Sequence, residues 1–248
     1  MSDNTLYPDF CLKASKDISV FANFRQDKVY RAILEHIDSR TGRLYLNEIK
    51  KIRKDLLDNI DKIKENDLYG NPDLHEYDEI GKICSSTLRY AKVSADLLNL
   101  FGPLEGYKIA EIGVGYGGQC RVINSVSQPA EYTLIDIEPA LLLAQCYLNR
   151  YILHSTMRYK TMNELVKEDY DLVISNYAFT ELRREIQDVY LEKMILNSKR
   201  GYITYNEITP EYFKSYKKEE LLKIIPHSRI IEEMPLTHPK NCIILWSN

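Results

Sequence analysis

The stretch EIGVGYGGQCRVI (residues 111–123) constrains this chain more than any other part of it. Four glycines, 113, 115, 117 and 118, fall between an apolar run that reads as a strand and a segment with helical spacing. Glycine permits a sharp turn and lets the backbone approach a ligand with no Cβ in the way. Strand, glycine turn and helix together form the opening unit of an open, mostly parallel α/β sheet. The second half of the chain is therefore expected to build such a sheet around this loop.

The pattern downstream of Gly102 agrees, with short apolar strands alternating with helices. Strands are expected at residues 107–113, 132–136, 157–161, 170–175 and 201–206. Helices are expected from Pro139 onward, over residues 182–196 and over 211–225. The last two expected strands, 229–233 and 242–246, are separated by too few residues for a helical crossover, so they should pair antiparallel. Upstream of Gly102 the spacing is helical. Ile49, Ile52, Leu56, Ile60 and Ile63 recur every three or four residues, and Val29, Ile33 and Ile37 mark an earlier helix. Leu88, Ala91, Ala95 and Leu98 mark a later one, and a turn cluster at residues 69–73 opens a connecting segment. The expected organisation is a helical cap, substrate or dimerisation region over residues 1–101, followed by a cofactor-binding α/β region over 102–248.

The loop matches two cofactor patterns. Gly113, Gly115 and Gly118 satisfy the G-x-G-x-x-G spacing that cradles a dinucleotide pyrophosphate. Glu111 with Gly113, Gly115 and Gly117 satisfies the acidic-x-G-x-G-x-G loop that binds S-adenosylmethionine. A carboxylate at Glu111 would repel two phosphates but accept a hydrogen bond from an ammonium group; its alternative is an ion pair with Arg121. Asp136, at the end of the second expected strand, suits the ribose hydroxyls of either cofactor. Ile137 beside it would lie against adenine. Asn163, after the third strand, is a candidate for the adenine edge and equally an ordinary turn residue. The antiparallel closing hairpin favours the methyl donor, because class I methyltransferase sheets end that way. Dinucleotide-binding domains more often continue with parallel units.

The runs EIGVGYGGQCRVI, YTLIDIEPALLLAQCYL and SNYAFTEL together resemble the sugar O-methyltransferases of bacterial surface-polysaccharide clusters. FRQDKVYRAILEH and SSTLRYAKVSADL upstream are similar too, so the resemblance covers most of the chain. Its specific elements are Gly-Tyr-Gly-Gly and Ser-Asn-Tyr-Ala-Phe; Val114 and Thr180 depart from the pattern. The resemblance implies a Rossmann-like class I methyltransferase sheet, mostly parallel with a C-terminal antiparallel hairpin, plus an N-terminal helical region. It implies S-adenosyl-L-methionine as cofactor and a sugar or glycan precursor as acceptor. Position by position, it places Glu111, Gly113, Gly115, Tyr116, Gly117, Gly118 and Asp136 on the donor; Ser175 and Asn176, at the end of the fourth expected strand, are further cofactor-binding candidates. Arg89 and Tyr90 match its Leu-Arg-Tyr element. A guanidinium at Arg89 would fork onto the donor's carboxylate or lie on the surface.

Methylating an alcohol requires an aligned hydroxyl and removal of its proton. Ligands of open α/β sheets bind beyond the carboxyl ends of the strands. There Asn176, Tyr177 and Glu181 follow the fourth expected strand, and Asn206 and Glu207 the fifth. Glu181 is expected as general base or hydroxyl anchor, with compensation of a helix dipole as its structural alternative. Asn206 and Glu207 are expected to line the acceptor pocket. His238 in the closing hairpin is a further base candidate and His154 a weaker one. The lack of a Pro-Pro pair after the fourth strand counts against methylation of a nucleobase amine.

A net charge of −3 with interspersed signs argues against a nucleic-acid partner. Five scattered cysteines without a C-x-x-C pair are expected to be free thiols, and no metal-binding motif is present. No stretch reads as a signal peptide or membrane span, so a cytoplasmic location is expected. The N-terminal helices are the expected surface for a homodimer. Three alternatives remain: a small-metabolite, lipid or protein acceptor; an NAD-dependent oxidoreductase; and a non-catalytic binding module.

Overall fold

The computed structural model describes residues 6–247. Five helices open the chain: α1 (Leu6–Lys16), α2 (Ile18–Phe21), α3 (Lys28–Ile33), α4 (Ser39–Arg53) and α5 (Ile60–Lys64). A small antiparallel hairpin of β1 (Leu74–Tyr77) and β2 (Gly81–Cys84) leads into α6 (Ser85–Phe101). The α/β region follows as β3 (Lys108–Ile112), α7 (Gly118–Val126), β4 (Glu131–Ile135), α8 (Glu138–Leu148), β5 (Thr156–Lys160) and β6 (Leu172–Asn176). It closes with α9 (Arg184–Lys193), β7 (Arg200–Tyr205), α10 (Lys218–Ile224), β8 (Arg229–Ile231) and β9 (Cys242–Ser247).

Seven strands form one sheet in the order β5-β4-β3-β6-β7-β9-β8. The strands from β5 to β7 are parallel, while β9 runs antiparallel to both β7 and β8. This order, with the reversed strand inserted second from the edge, is the Rossmann-like sheet of class I methyltransferases. The expected fold is therefore the observed one.

Side chains alternate across a strand, so each strand feeds two cores. Ile109, Leu134, Ile174, Tyr202 and Leu245 face one side, where α6, α7 and α8 bury Leu88, Val122 and Leu143 against them. Ala110, Ile135, Val173, Ile203 and Trp246 face the other, covered by α9 and α10 through Tyr190 and Leu221. Both faces of the sheet are covered, which is why its strands read as nearly continuous apolar runs. The first core also takes in Cys11, Phe24, Tyr30 and Ile49, so the N-terminal helices pack onto the α6–α8 layer.

Four expectations about elements need correction. The helix implied by residues 49–63 is broken: Arg53 leaves helical dihedrals (φ −151°, ψ 64°), its guanidinium closes on Asp55 at 2.7 Å, and a 3₁₀ turn follows before α5. Apolar spacing alone cannot register that local competition. The helix expected over 211–225 is a 3₁₀ turn, then Lys214 in the left-handed region (φ 52°), then the short α10. The backbone N–H of Lys217 donates to Glu220 and restarts the helix there. The helix expected over 182–196 is limited to α9. The β1–β2 hairpin lies in the segment read as a plain connection; its strands have four residues each and mixed polarity. Among the described residues no helix is long and apolar enough to cross a membrane.

Candidate active site

The carboxyl ends of β3, β4, β6 and β7 meet around the glycine loop. Gly113 has φ +78°, and a Cβ there would stand 2.0 Å from the Cβ of Ala178. The Ala178 methyl of the turn after β6 thus packs directly onto the Gly113 backbone, a closeness only glycine permits. Gly115, at φ +55°, has Leu34 of the N-terminal region 2.6 Å from where its Cβ would be. Gly117 is left-handed as it caps α7, and the Tyr90 ring lies against Gly118. Asp136, half-buried at the end of β4, accepts hydrogen bonds from Gly115 N at 3.2 Å and Ile137 N at 2.8 Å. Burial pushes its carboxyl up to about 6 against the pull of those N–H groups. Ile137 beside it is 42% exposed.

Tyr116 is placed differently from its expected donor contact. Its side chain is fully buried, edge-on to Tyr147 at 4.7 Å and Phe24 at 5.5 Å, with the Arg25 guanidinium 4.9 Å from the ring centre. Its hydroxyl accepts from Asn66 Nδ2 at 3.0 Å. Arg25 is held in turn by Glu35 at 2.8 Å and Asp67 at 3.1 Å, all out of solvent. The ring therefore anchors the glycine loop to the N-terminal helices.

Glu111 does not form the ion pair with Arg121 that was its alternative. Arg121 pairs with Glu65 at 2.5 Å, and Glu111 instead accepts from the Tyr132 hydroxyl at 2.6 Å. The carboxyl is 2% exposed. Burial pushes it up to about 8, opposed by the Tyr132 bond and assisted by the charge of Asp136. Ser175 is likewise occupied, its Oγ donating to Ile112 O at 3.1 Å and accepting from Phe179 N at 3.0 Å. It latches the turn after β6 and has little left for a ligand. Asn163 is exposed on the 3₁₀ turn Met162–Glu164 that follows β5.

Arg89, Asn176 and Tyr30, all beside the loop, each carry one buried polar atom with no hydrogen-bond partner. Arg89 on α6 is 9% exposed; one Nη contacts Leu34 O at 3.5 Å, and its Nε is buried with no hydrogen bond. A desolvated guanidinium without a counter-charge is costly, and no carboxylate is paired with it among the described residues. Asn176, at the end of β6, donates weakly to Gln119 Oε1 at 3.4 Å, and its Oδ1 is buried with no partner. Gln119 is itself fixed by Tyr90 O at 3.1 Å and Ser94 Oγ at 3.0 Å, which ties this wall to α6.

On the side of β7 the structure brings Glu181 and Asn206 together, as their positions predict. Asn206 Nδ2 donates to Glu181 Oε1 at 2.9 Å, and Asn206 N to Thr180 Oγ1 at 3.0 Å. Burial raises the Glu181 carboxyl above the ordinary range, with the Asn206 bond opposing it. Asn206 Oδ1 is buried and unpartnered. Glu207 points elsewhere, to Lys217 at 3.2 Å and Lys240 at 3.7 Å. His238 is exposed, and its Nδ1 faces the backbone N–H of Lys240 in its own turn at 3.4 Å. His154 precedes β5, at the amino ends of the parallel strands and so opposite the cleft. His154 is therefore not placed as a base, whereas His238 lies in the turn next to Thr237, which bonds Glu233.

Sequence reasoning passed over Glu233 and gave Tyr177 no role. The Tyr177 hydroxyl donates to the buried Glu233, which also accepts from Thr237 N at 2.9 Å and Thr237 Oγ1 at 2.7 Å. The Ser-Asn-Tyr-Ala-Phe run held the only signal for Tyr177; nothing in the sequence pairs it with a residue 56 positions on. Among the described residues no group of three or more His, Cys, Asp or Glu is arranged to hold a metal ion.

No family model matches the chain. An alignment of 123 residues is 32% identical to the non-reducing polyketide synthase mapC of Penicillium brevicompactum, covering 42% of this chain and 5% of the length of that protein. Among solved structures, the chain is similar to the magnesium protoporphyrin IX methyltransferase ChlM of Synechocystis PCC 6803 with bound SAM (20% identity, TM-score 0.48, 63% of this chain and 76% of that one). It is similar to the pyocyanin biosynthetic protein PhzM (14%, 0.48, 65% and 56%). TehB of Haemophilus influenzae is a third (15%, 0.48, 63% and 62%). These likenesses are distant, and the class I methyltransferase fold of this chain rests on its own strand order and directions.

Proposed function

We propose that this chain is an S-adenosylmethionine-dependent O-methyltransferase acting on a sugar hydroxyl of a surface polysaccharide or its precursor. The observation that carries the reading is β9, reversed between β7 and β8, where a nicotinamide-dependent oxidoreductase would be expected to continue in parallel. The residues at the cleft fit the methyl donor. Arg89, with its unpartnered Nε, suits the donor's carboxylate. The orphaned Oδ1 of Asn176 suits its ammonium, and Asp136 with Ile137 suits the ribose and adenine. When bound, the donor supplies a methyl group on a positively charged sulfur.

The chain's own residues would then hold the acceptor at the carboxyl ends of β6 and β7. Glu181 with the free Oδ1 of Asn206 presents a run of hydrogen-bond acceptors. Such a surface suits a ligand with several hydroxyl donors, which supports a sugar. Leu34 and Tyr30 lie over Gly115, so the N-terminal region would screen the bound donor from water.

Labelled S-adenosylmethionine offered with nucleotide sugars and sugar phosphates, alongside lipids, proteins and small metabolites, tests the reading. Label in a base-stable ether on the sugar is expected. Label on a different acceptor class alone overturns the sugar assignment.

A further inference from the structure

We propose that Tyr177, backed by Glu233, faces the transferred methyl group and takes the proton from the acceptor hydroxyl. The inference rests on the methyl-donor reading above and deepens it, because it assigns the reacting hydroxyl a partner and moves the proton-accepting role away from Glu181.

Tyr177 is held in an unusual backbone state, φ +69° and ψ −40°. A non-glycine residue is strained there, and such strain persists only where the surroundings enforce it. Three contacts do so. Tyr177 N donates to Thr204 O at 3.1 Å, Thr180 N donates to Tyr177 O at 3.0 Å, and the next residue, Ala178, rests on Gly113. The strained residue is therefore fixed next to the first glycine of the donor loop. In the sheet, β4 with Asp136 lies on one side of β3 and β6 lies on the other. A donor whose ribose is on Asp136 leaves its reacting end toward β6, and Tyr177 is the first residue beyond that strand.

The side chain is as constrained as the backbone. Its hydroxyl donates to Glu233, which is 5% exposed and is further held by Thr237. Tyr45 from α4, which shares a side-chain hydrogen bond with Tyr177, Arg89 from α6 and Tyr202 from β7 also face the phenol. Tyr45, Tyr202 and Cys242 are those that Glu233 faces besides Tyr177. Burial pushes the Tyr177 hydroxyl well above the ordinary phenol range. It therefore stays protonated, donating to Glu233 while its own oxygen remains able to accept. Glu181, four residues further on, is turned to Asn206 beside β7.

The proton balance is simple. The acceptor oxygen bonds to the methyl carbon as the carbon–sulfur bond breaks, leaving its electron pair on sulfur. The hydroxyl proton passes to the Tyr177 oxygen as the phenolic proton passes to Glu233, which ends as a neutral acid and returns the proton to solvent. This relay serves a hydroxyl, whose proton must leave.

The test needs no knowledge of the acceptor. Sinefungin carries an ammonium where the donor carries its methyl, and S-adenosylhomocysteine carries nothing there. Both are titrated calorimetrically into the full chain, into Tyr177→Phe and into Glu233→Gln. Wild type is expected to prefer sinefungin, and each variant to lose about tenfold of that preference while binding S-adenosylhomocysteine as before. Retained S-adenosylhomocysteine binding shows that a variant is folded; if Glu233→Gln loses it, Glu233→Asp, which keeps the charge but withdraws it from Tyr177, is expected to show the same loss of preference. An unchanged preference in the folded variants, or a loss in Glu181→Gln instead, overturns the proposal. Failure of wild type to bind either analogue overturns the methyl-donor reading and this inference with it.

Discussion

Replacing Glu111 by glutamine isolates what one buried carboxyl does to stability. The unfolded chain releases this proton near the ordinary value of 4.5, whereas the folded chain holds it up to about 8. Between those values the folded state carries the extra proton, so its stability falls as pH rises, by about 1.4 kcal/mol per unit. The stabilisation is complete below the unfolded value and is lost as pH rises through the folded one. By neutral pH the wild-type chain has lost about 3 kcal/mol in this way. Glutamine has no such proton, and its carbonyl can still accept from Tyr132. Its buried N–H₂ goes unpartnered, which costs about 1 kcal/mol. Glu111→Gln should therefore be more stable than wild type by about 2 kcal/mol at neutral pH, raising Tm by about 4–8 °C for a chain of this size. The advantage should vanish or reverse at about pH 4.5. Asp136, also raised, gives a slope of the same sign but is present in both chains. Thermal melts followed by circular dichroism across the acid-to-neutral range read the difference. Parallel curves for the two chains would refute the reasoning.

Gly113→Ala must adopt φ +78° and push against Ala178, costing about 1–2 kcal/mol for the backbone and about 1–3 kcal/mol for overpacking. Urea unfolding should show that loss, and Gly113→Ala with Ala178→Gly should recover the packing part alone; equal midpoints for the single and double variants would contradict the contact. Arg25→Met leaves Glu35 and Asp67 buried without their cation and should lower stability by about 3–5 kcal/mol in the same assay. Arg89→Ala should weaken S-adenosylhomocysteine binding at least about tenfold, the scale of one charge-assisted hydrogen bond, with no fall in Tm. A fall in Tm with affinity intact would make Arg89 a structural residue.

The sheet was legible because its strands are buried on both faces and separated by turn chemistry, so their order along the chain is written in apolar runs. The antiparallel ending was legible from the shortness of the segment between β8 and β9, which no crossover can span. The N-terminal helices were less so. The periodic run from Ile49 to Ile63 hides a break made by an Arg53–Asp55 contact, an effect of two polar side chains that apolar spacing does not see. At the site, motif position located Asp136, Asn176, Glu181 and Asn206 because each follows a strand at the same end of the sheet. Burial decided the rest. Glu111, at the end of β3, and Tyr116, in the loop, stand where expected, yet both side chains turn into the core on the α6–α8 side of the sheet. Whether a residue in a glycine loop points to the ligand or beneath it depends on partners such as Tyr132 and Asn66, which lie far away in sequence.

The most direct test of the account is a parallel calorimetric titration of the chain with S-adenosylmethionine and with NAD. The account predicts binding of S-adenosylmethionine at one site per chain, weakened by Arg89→Ala, and no heat from NAD. Binding of NAD with no response to S-adenosylmethionine would contradict it.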